Sequence, residues 1–204
     1  TLVNEAIRLE PRESRFHGAL GDLDLAAKNP KAALVNFEKA RALDPGYFKP
    51  QVQTGIAQYM LGNRAAAEQP LQRGMELLPN APGAYYLGRV YEDKGNTVEA
   101  VKYYRMAAGS KSSFSADAMA RLAKLDLSQN PGQYLSVQPQ LDNQGRIWLT
   151  VGNRTTVPMR NVTIQVAVMD PQTGRPYQGP VRVGTGASTI LPGKAVNVQT
   201  GLGP

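Results

Sequence analysis

No cysteine occurs in the 204 residues, which excludes disulfides, cysteine-ligated zinc and thiol catalysis. The absence fits an oxidising compartment, where stray thiols are a liability, although many cytosolic chains lack cysteine too. Histidine is represented by His17 alone. A zinc protease site needs two histidines on one helical face plus a third ligand, so this segment cannot make one. No run of about 18 apolar residues is present, so no membrane-spanning helix is expected. Neither a GxxxxGK[ST] phosphate loop nor a dinucleotide fingerprint occurs. There is no signal peptide and no initiating Met. Thr1 opens directly onto helical sequence, and a processed or trimmed chain is expected.

The formal net charge of +7 is thinly spread, with +3 in the first 130 residues and +4 in the last 74. Nucleic-acid binders concentrate their charge on one stripe or face. A mildly basic surface is therefore the expectation, with no nucleic acid among the partners. A DNA-binding alternative would show a steep salt dependence.

What the chain does contain is a period. Gly21, Gly55 and Gly88 are spaced 34 and then 33 residues apart, as are Ala33, Ala67 and Ala100, and Phe37, Leu71 and Tyr104. Pro11, Pro45 and Pro79 recur at 34. These spacings place three units in register, at 14–47, 48–80 and 81–113, each expected to be a pair of helices. Glycine inside a first helix costs about 1 kcal/mol, which makes sense where a side chain would hold the facing helix away. The alanines play the matching part in the second helices, and Phe37, Leu71 and Tyr104 are expected to fill the space between a repeat and its neighbour. Gly62, Gly95 and the run Lys28-Asn29-Pro30 mark the stops of the first helices. Asp44-Pro45 and Leu78-Pro79 close the second ones. Ala6 and Pro11 hold the same register, so Asn4 to Pro11 reads as the last turns of an earlier, uncapped repeat. The chain is thus expected to be part of a longer protein. Residues 116–128 read as a capping helix with Met119, Leu122 and Ala123 on one face.

After Gln129-Asn130-Pro131-Gly132 the period switches from 3.6 to 2. Ile147, Leu149 and Val151 alternate with polar positions, as do Val162, Ile164, Val166 and Val168, and later Val196 and Val198. Asp170 to Gly174 and Leu191 to Lys194 read as turns. Five to seven short strands suggest a small antiparallel sandwich, with the closing strand missing. The expected organisation is a helical solenoid over 1–130 and a β-sandwich over 131–204, mainly α with a β part.

The 34-residue pattern resembles tetratricopeptide repeats (TPRs) over Ser14 to Ser113. It departs at the usual first-helix aromatic, replaced by His17, Gln51 and Ala84, and at Thr54, where Leu is usual. A narrower resemblance, over Asn4 to Gly21 and Leu77-Leu78-Pro79-Asn80-Ala81-Pro82, is to the bacterial periplasmic zinc metallopeptidases of the BepA/YfgC kind (metallopeptidase family forty-eight). Those carry an HExxH protease domain followed by a TPR tail. The strand half resembles immunoglobulin-like accessory domains in the spacing from Asn153 to Val162.

These resemblances imply a non-catalytic protein- or peptide-binding region in the periplasm. Zinc would be expected only in a protease domain outside this segment. The implied partners are unfolded outer-membrane proteins or the parent's own protease domain. A stand-alone scaffold or assembly protein is the alternative. TPR superhelices bind along their first helices, and the usual positions fall on Arg15, Gly18, Asp22 and Leu25, on Lys49, Val52, Ile56, Tyr59 and Met60, and on Tyr85, Arg89, Glu92 and Asp93. Arg15, Lys49 and Arg89 suit a carboxylate, whereas Asp22 and Ile56 occupy positions that a carboxylate clamp would need for other residues. These side chains could equally be packing residues.

Three further features carry a bland expectation. The pairs Asp22/Asp24 and Glu92/Asp93 read as solvated helix surface, because such neighbours diverge on a helix. The sequons at Asn153 and Asn161 carry no weight in a bacterial chain. Trp148 reads as a core anchor before an exposed docking residue.

Overall fold

The computed structural model describes residues 2–127 and 129–203, so Ser128, the expected end of the capping helix, lies outside the described residues. The chain divides into two compact units, Thr1–Leu122 and Ala123–Pro204.

In the first unit α1 (Leu2–Leu9) precedes three helix pairs. These are α2 (Ser14–Ala26) with α3 (Pro30–Leu43), α4 (Phe48–Met60) with α5 (Arg64–Leu77), and α6 (Ala81–Asp93) with α7 (Thr97–Ala108). The first helix of each pair begins at the residue that opens its repeat unit. Within a pair the two helices pack on each other, each second helix packs on the next first helix, and the first helices α2, α4 and α6 adjoin in turn.

The recurring glycines set how close the helices approach. A Cβ on Gly21 would stand 2.5 Å from Phe37 Cε1, and one on Gly88 would stand 2.6 Å from Tyr104 Cδ1. At Gly55 it would collide with Leu71 Cγ and come within 2.9 Å of the Ala67 carbonyl oxygen. The large side chain of each second helix therefore lies in the notch its partner glycine leaves. Phe37, Leu71 and Tyr104 are buried there, as are Ala33, Ala67 and Ala100. Burying Phe37 or Leu71 contributes roughly 1.5–3 kcal/mol each.

The turns repeat as closely as the core. Lys28, Gly62 and Gly95 all adopt positive φ, at 58°, 82° and 72°, and their chain neighbours close the helix ends with backbone bonds such as Asn29 N–H to the Asp24 carbonyl at 2.8 Å. A lysine in this conformation carries a cost that glycine avoids. The following residues, Asn29, Asn63 and Asn96, are the N-caps of α3, α5 and α7. Asn29 and Asn96 accept from the free backbone N–H groups of Ala32 and Glu99.

The departures from the usual aromatic position have a structural use. His17 Nε2 donates to the Pro11 carbonyl at 2.9 Å, and Gln51 Nε2 donates to the Pro45 carbonyl at 3.3 Å. Each is 34 residues from its counterpart, so two buried polar side chains tie the incoming loop in the same way. Thr54 has no such use: its hydroxyl is buried and, among the described residues, has no hydrogen-bond partner.

Helix α8 (Ser115–Asp126) follows, with Ala118, Leu122 and Ala123 buried and Met119 half-buried. The division between the two units falls inside it.

In the second unit the single turn α9 (Pro131–Tyr134) leads into β1 (Leu135–Leu141), β2 (Ile147–Asn153), β3 (Thr163–Met169), β4 (Pro176–Gly184) and β5 (Ala195–Gln199). They form two small antiparallel sheets, β1-β2-β5 and β3-β4. The strand count is within the expected range, but sheets of three and two strands do not establish an immunoglobulin-like sandwich. β2 is the central strand, where Leu149 and Val151 are buried. Pro139 sits in the edge strand β1, where a missing N–H is tolerated. Trp148 is neither full core nor free surface: it is half-buried, and its Nε1 donates to Asp142 Oδ2 at 3.2 Å.

Asn153, at the end of β2, organises the loops of this unit. It is buried, its Nδ2 donates to the carbonyls of Val157 and Ile190 at 2.7 and 2.9 Å, and its Oδ1 accepts from the backbone and hydroxyl of Thr155 at 2.8 Å each. All its amide capacity is used, so the sequon match there offers no group to modify.

Two tests follow from this packing. Gly55→Ala is expected to destabilise the helical unit by about 1–3 kcal/mol through overpacking, while the adjacent Thr54→Val raises stability by about 1 kcal/mol by removing an unpaired hydroxyl. Urea unfolding followed at 222 nm reads both. In the second unit Asn153→Ala is expected to cost about 2–3 kcal/mol by removing the hydrogen bonds that the buried amide makes to the Val157 and Ile190 carbonyls and to Thr155. Fluorescence of Trp148, the single tryptophan, reports that loss separately.

Candidate functional site

The first-helix face of the helical unit is held by polar ties that run between helices. Asp22 on α2 receives Lys49 Nζ at 2.6 Å and Gln53 Nε2 at 2.8 Å, both from α4. Asp93 on α6 receives the Tyr59 hydroxyl of α4 at 2.7 Å, and Arg64 Nε of α5 as well. Glu92 receives the Tyr104 hydroxyl at 2.5 Å and Arg121 Nη1 at 2.7 Å. The acidic side chains expected to be solvated surface are therefore inter-helix acceptors, because helix packing brings donors from other elements onto them. At Asp93 partial burial opposes ionisation, but hydrogen bonds from Tyr59 and Arg64 outweigh it and hold the carboxyl below its ordinary value. Burial, then the bond to Asp93, push the Tyr59 phenol up.

Tyr59 is the centre of this face. The Arg89 guanidinium lies 5.0 Å and the Arg64 guanidinium 5.4 Å from its ring centroid. Tyr86 meets it edge-on at 5.5 Å. Arg89 is also 5.9 Å from the Tyr85 ring and donates to the Tyr85 hydroxyl at 3.4 Å. Tyr85 in turn packs on Phe114 at 5.2 Å. Lys49, Arg64 and Arg121 each have a carboxylate in ion-pair contact. For Arg89, among the described residues, no carboxylate lies within that reach. It remains a half-exposed cation positioned by aromatic rings.

The residues expected to line the face fall into two layers. Arg15, Lys49 and Met60 are exposed, Asp22, Leu25 and Arg89 half-buried, and Val52, Ile56, Tyr59 and Tyr85 buried. Val52 Cγ2 fills the space a Cβ on Gly74 would need, so its side chain belongs to the α4–α5 packing. Leu25 packs against the cluster of Ala33, Phe37 and Ala57. Arg15 pairs with Glu13 at 3.2 Å in an exposed contact, worth little in water. A ligand on this face would meet Arg15, Lys49, Met60 and Arg89 directly, with the buried tyrosines shaping the floor. Gln53, Tyr86 and Arg64 also contribute and were not read from the sequence. Arg64 belongs to a second helix and reaches the face only because α5 packs beside α4. Tyr86 adjoins Tyr85 in an aromatic doublet that could have signalled it.

Among the described residues no group of three or more His, Cys, Asp or Glu side chains is placed to hold a metal ion, and no helix is long and apolar enough to cross a membrane.

No family model matches the chain, and no curated protein matches it. Solved structures do. The chain resembles MamA with a TM-score of 0.55 and 22% identity, over 63% of this chain and 75% of MamA. It resembles YrrB, described as a TPR protein with an unusual peptide-binding site, with a TM-score of 0.58 and 15% identity, over 64% of this chain and 68% of YrrB. PilF of Pseudomonas aeruginosa gives a TM-score of 0.54 and 19% identity, over 63% of this chain and 60% of PilF. At these identities the likeness shows the fold: the helical part has the TPR fold.

The Asp93 arrangement predicts a pH signature. A carboxyl with a depressed folded pKa adds stability that is present above its unfolded value of about 3.9. That contribution is lost as the pH falls through the folded value. Asp93→Asn is therefore expected to be less stable than the parent at pH 7, with the gap closing as the pH is lowered below about 4. Thermal melts across that range measure the gap, and a gap independent of pH would contradict the assignment.

Proposed function

We propose that the helical unit is a polypeptide-binding TPR scaffold and that the face of α2, α4 and α6 is its docking surface. The observation that carries this reading is Arg89. A half-exposed guanidinium, stacked on Tyr59 and Tyr85 and without a carboxylate of its own among the described residues, keeps donors free for an incoming acidic group. The exposed Met60, which follows Tyr59 in the chain, suits an adaptable surface. Catalysis is not assigned to this segment.

The parent protein, in the same reading, is a periplasmic zinc metalloprotease. The scaffold presents substrates or assembly partners to its protease domain during envelope protein quality control, and zinc belongs to that domain alone. The scaffold's partners, in this reading, are unfolded outer-membrane proteins or the protease domain itself. The resemblance at Asn4 to Gly21 supports this. The antiparallel pairing of the second unit supports an immunoglobulin-like accessory role for it. The gene upstream of Thr1 decides between this parent and a stand-alone scaffold: an HExxH-encoding helix there supports the protease, and its absence leaves the scaffold.

Titration with unfolded outer-membrane polypeptides tests the surface. Arg89→Glu is expected to weaken binding by about tenfold or more, as for a residue at the centre of an interface, with unchanged far-ultraviolet circular dichroism. Equal affinity for the variant and the parent would remove the face from consideration.

A further inference from the structure

The first repeat leaves a hole at a position that a side chain occupies in the next two. Gly18 in α2 is buried, yet a Cβ placed on it would meet no atom within 4 Å. Gly21, Gly55, Gly74, Gly83 and Gly88 are all helical glycines at which a Cβ would collide with a neighbour. Steric need explains those five and does not explain Gly18, which carries the helix cost of glycine with no packing return. At the same register position the next repeats have Val52 and Tyr85, both buried.

A partly enclosed cavity opens at this point, with Gly18, Phe37 and Pro50 among its apolar walls and Arg15, Lys49 and Gln53 among its polar lining. It offers about 60 Å³ to the centres of water-sized spheres. One water needs roughly 10–15 Å³ of such space and about 30 Å³ of liquid volume. The hole thus takes roughly four waters, or one branched aliphatic side chain in their place. Water on the apolar side gains few hydrogen bonds and is readily displaced. The charged residues lining the cavity are both cationic, and no acidic residue lines it.

Resting on the docking-surface reading above, we propose that this cavity is an anchor subsite for one aliphatic side chain, of Val to Leu size, from an extended polypeptide with acidic residues beside that anchor. The side chain displaces water against Gly18, Phe37 and Pro50. Its acidic neighbours meet Arg15 and Lys49, whose existing partners Glu13 and Asp22 leave Arg15 78% and Lys49 47% exposed.

The test uses the 204-residue chain and labelled peptides acetyl-Ala-Ala-Glu-X-Glu-Ala-Ala-amide read by fluorescence anisotropy. X is leucine or alanine, and a further set has lysine in place of glutamate. The leucine peptide is expected to bind about tenfold or more tightly than the alanine peptide, and lysine flanks are expected to abolish the advantage. Gly18→Val, which copies the second repeat, is expected to melt at a higher temperature than the parent while its leucine preference falls to about twofold or less. A parent chain that binds both peptides equally, or a folded Gly18→Val that keeps the preference, overturns the subsite alone. A parent that binds none of the peptides overturns the subsite and the docking surface together.

Discussion

The close approach of a glycine to one large side chain is the contact on which the helical unit depends. Gly21 with Phe37, Gly55 with Leu71 and Gly88 with Tyr104 leave no space for a methyl group, so each pair of helices is fixed at a separation only glycine permits. The rest follows from that spacing. The second helix comes close enough for a buried alanine to pack beside the first helix, the turn must reverse within a few residues, and positive φ at Lys28, Gly62 and Gly95 achieves it. Because each unit repeats the contact, the first helices come to lie beside one another and share one face.

That face is polar in a particular way. Its carboxylates at positions 22, 92 and 93 are used to join helices, and most of its cations are used to match them. Internal pairing of this kind fixes register more than it adds stability, since exposed ion pairs contribute little. What remains for a ligand is the unmatched part: Arg89 on its tyrosines at one end, and the hole at Gly18 at the other. An acidic, aliphatic polypeptide would satisfy both, by charge at the first and by burial at the second.

The strand unit is built on different physics. Its sheets have three and two strands, too few for a large apolar core, and a buried polar side chain carries much of the organisation. Asn153 binds two carbonyls from separate loops and the Thr155 backbone and hydroxyl at once. A fully satisfied buried amide specifies one loop arrangement, because any other would leave its groups unpaired.

Sequence periodicity by itself determined the helical half: the three helix pairs, their starting residues, the glycines at the close helix approach and the positions of the turns. Those features are local or recur at one step, so spacing alone exposes them. The tertiary structure decided that each glycine receives the large side chain of its own repeat. The strands β2, β3 and β5 were legible from alternation, whereas β1 and β4 were not, since Pro139, Gly179 and Pro180 interrupt their patterns and only pairing with a neighbour makes them strands. The candidate face was legible as a set of positions but not as chemistry. Whether Val52 packs or binds, whether Asp22 and Glu92 are solvated or tied, and that Arg64 joins the face from another helix were decided by tertiary structure. The reason is physical: burial and charge pairing depend on which side chains distant parts of the chain bring together, and a period in one dimension does not contain that information.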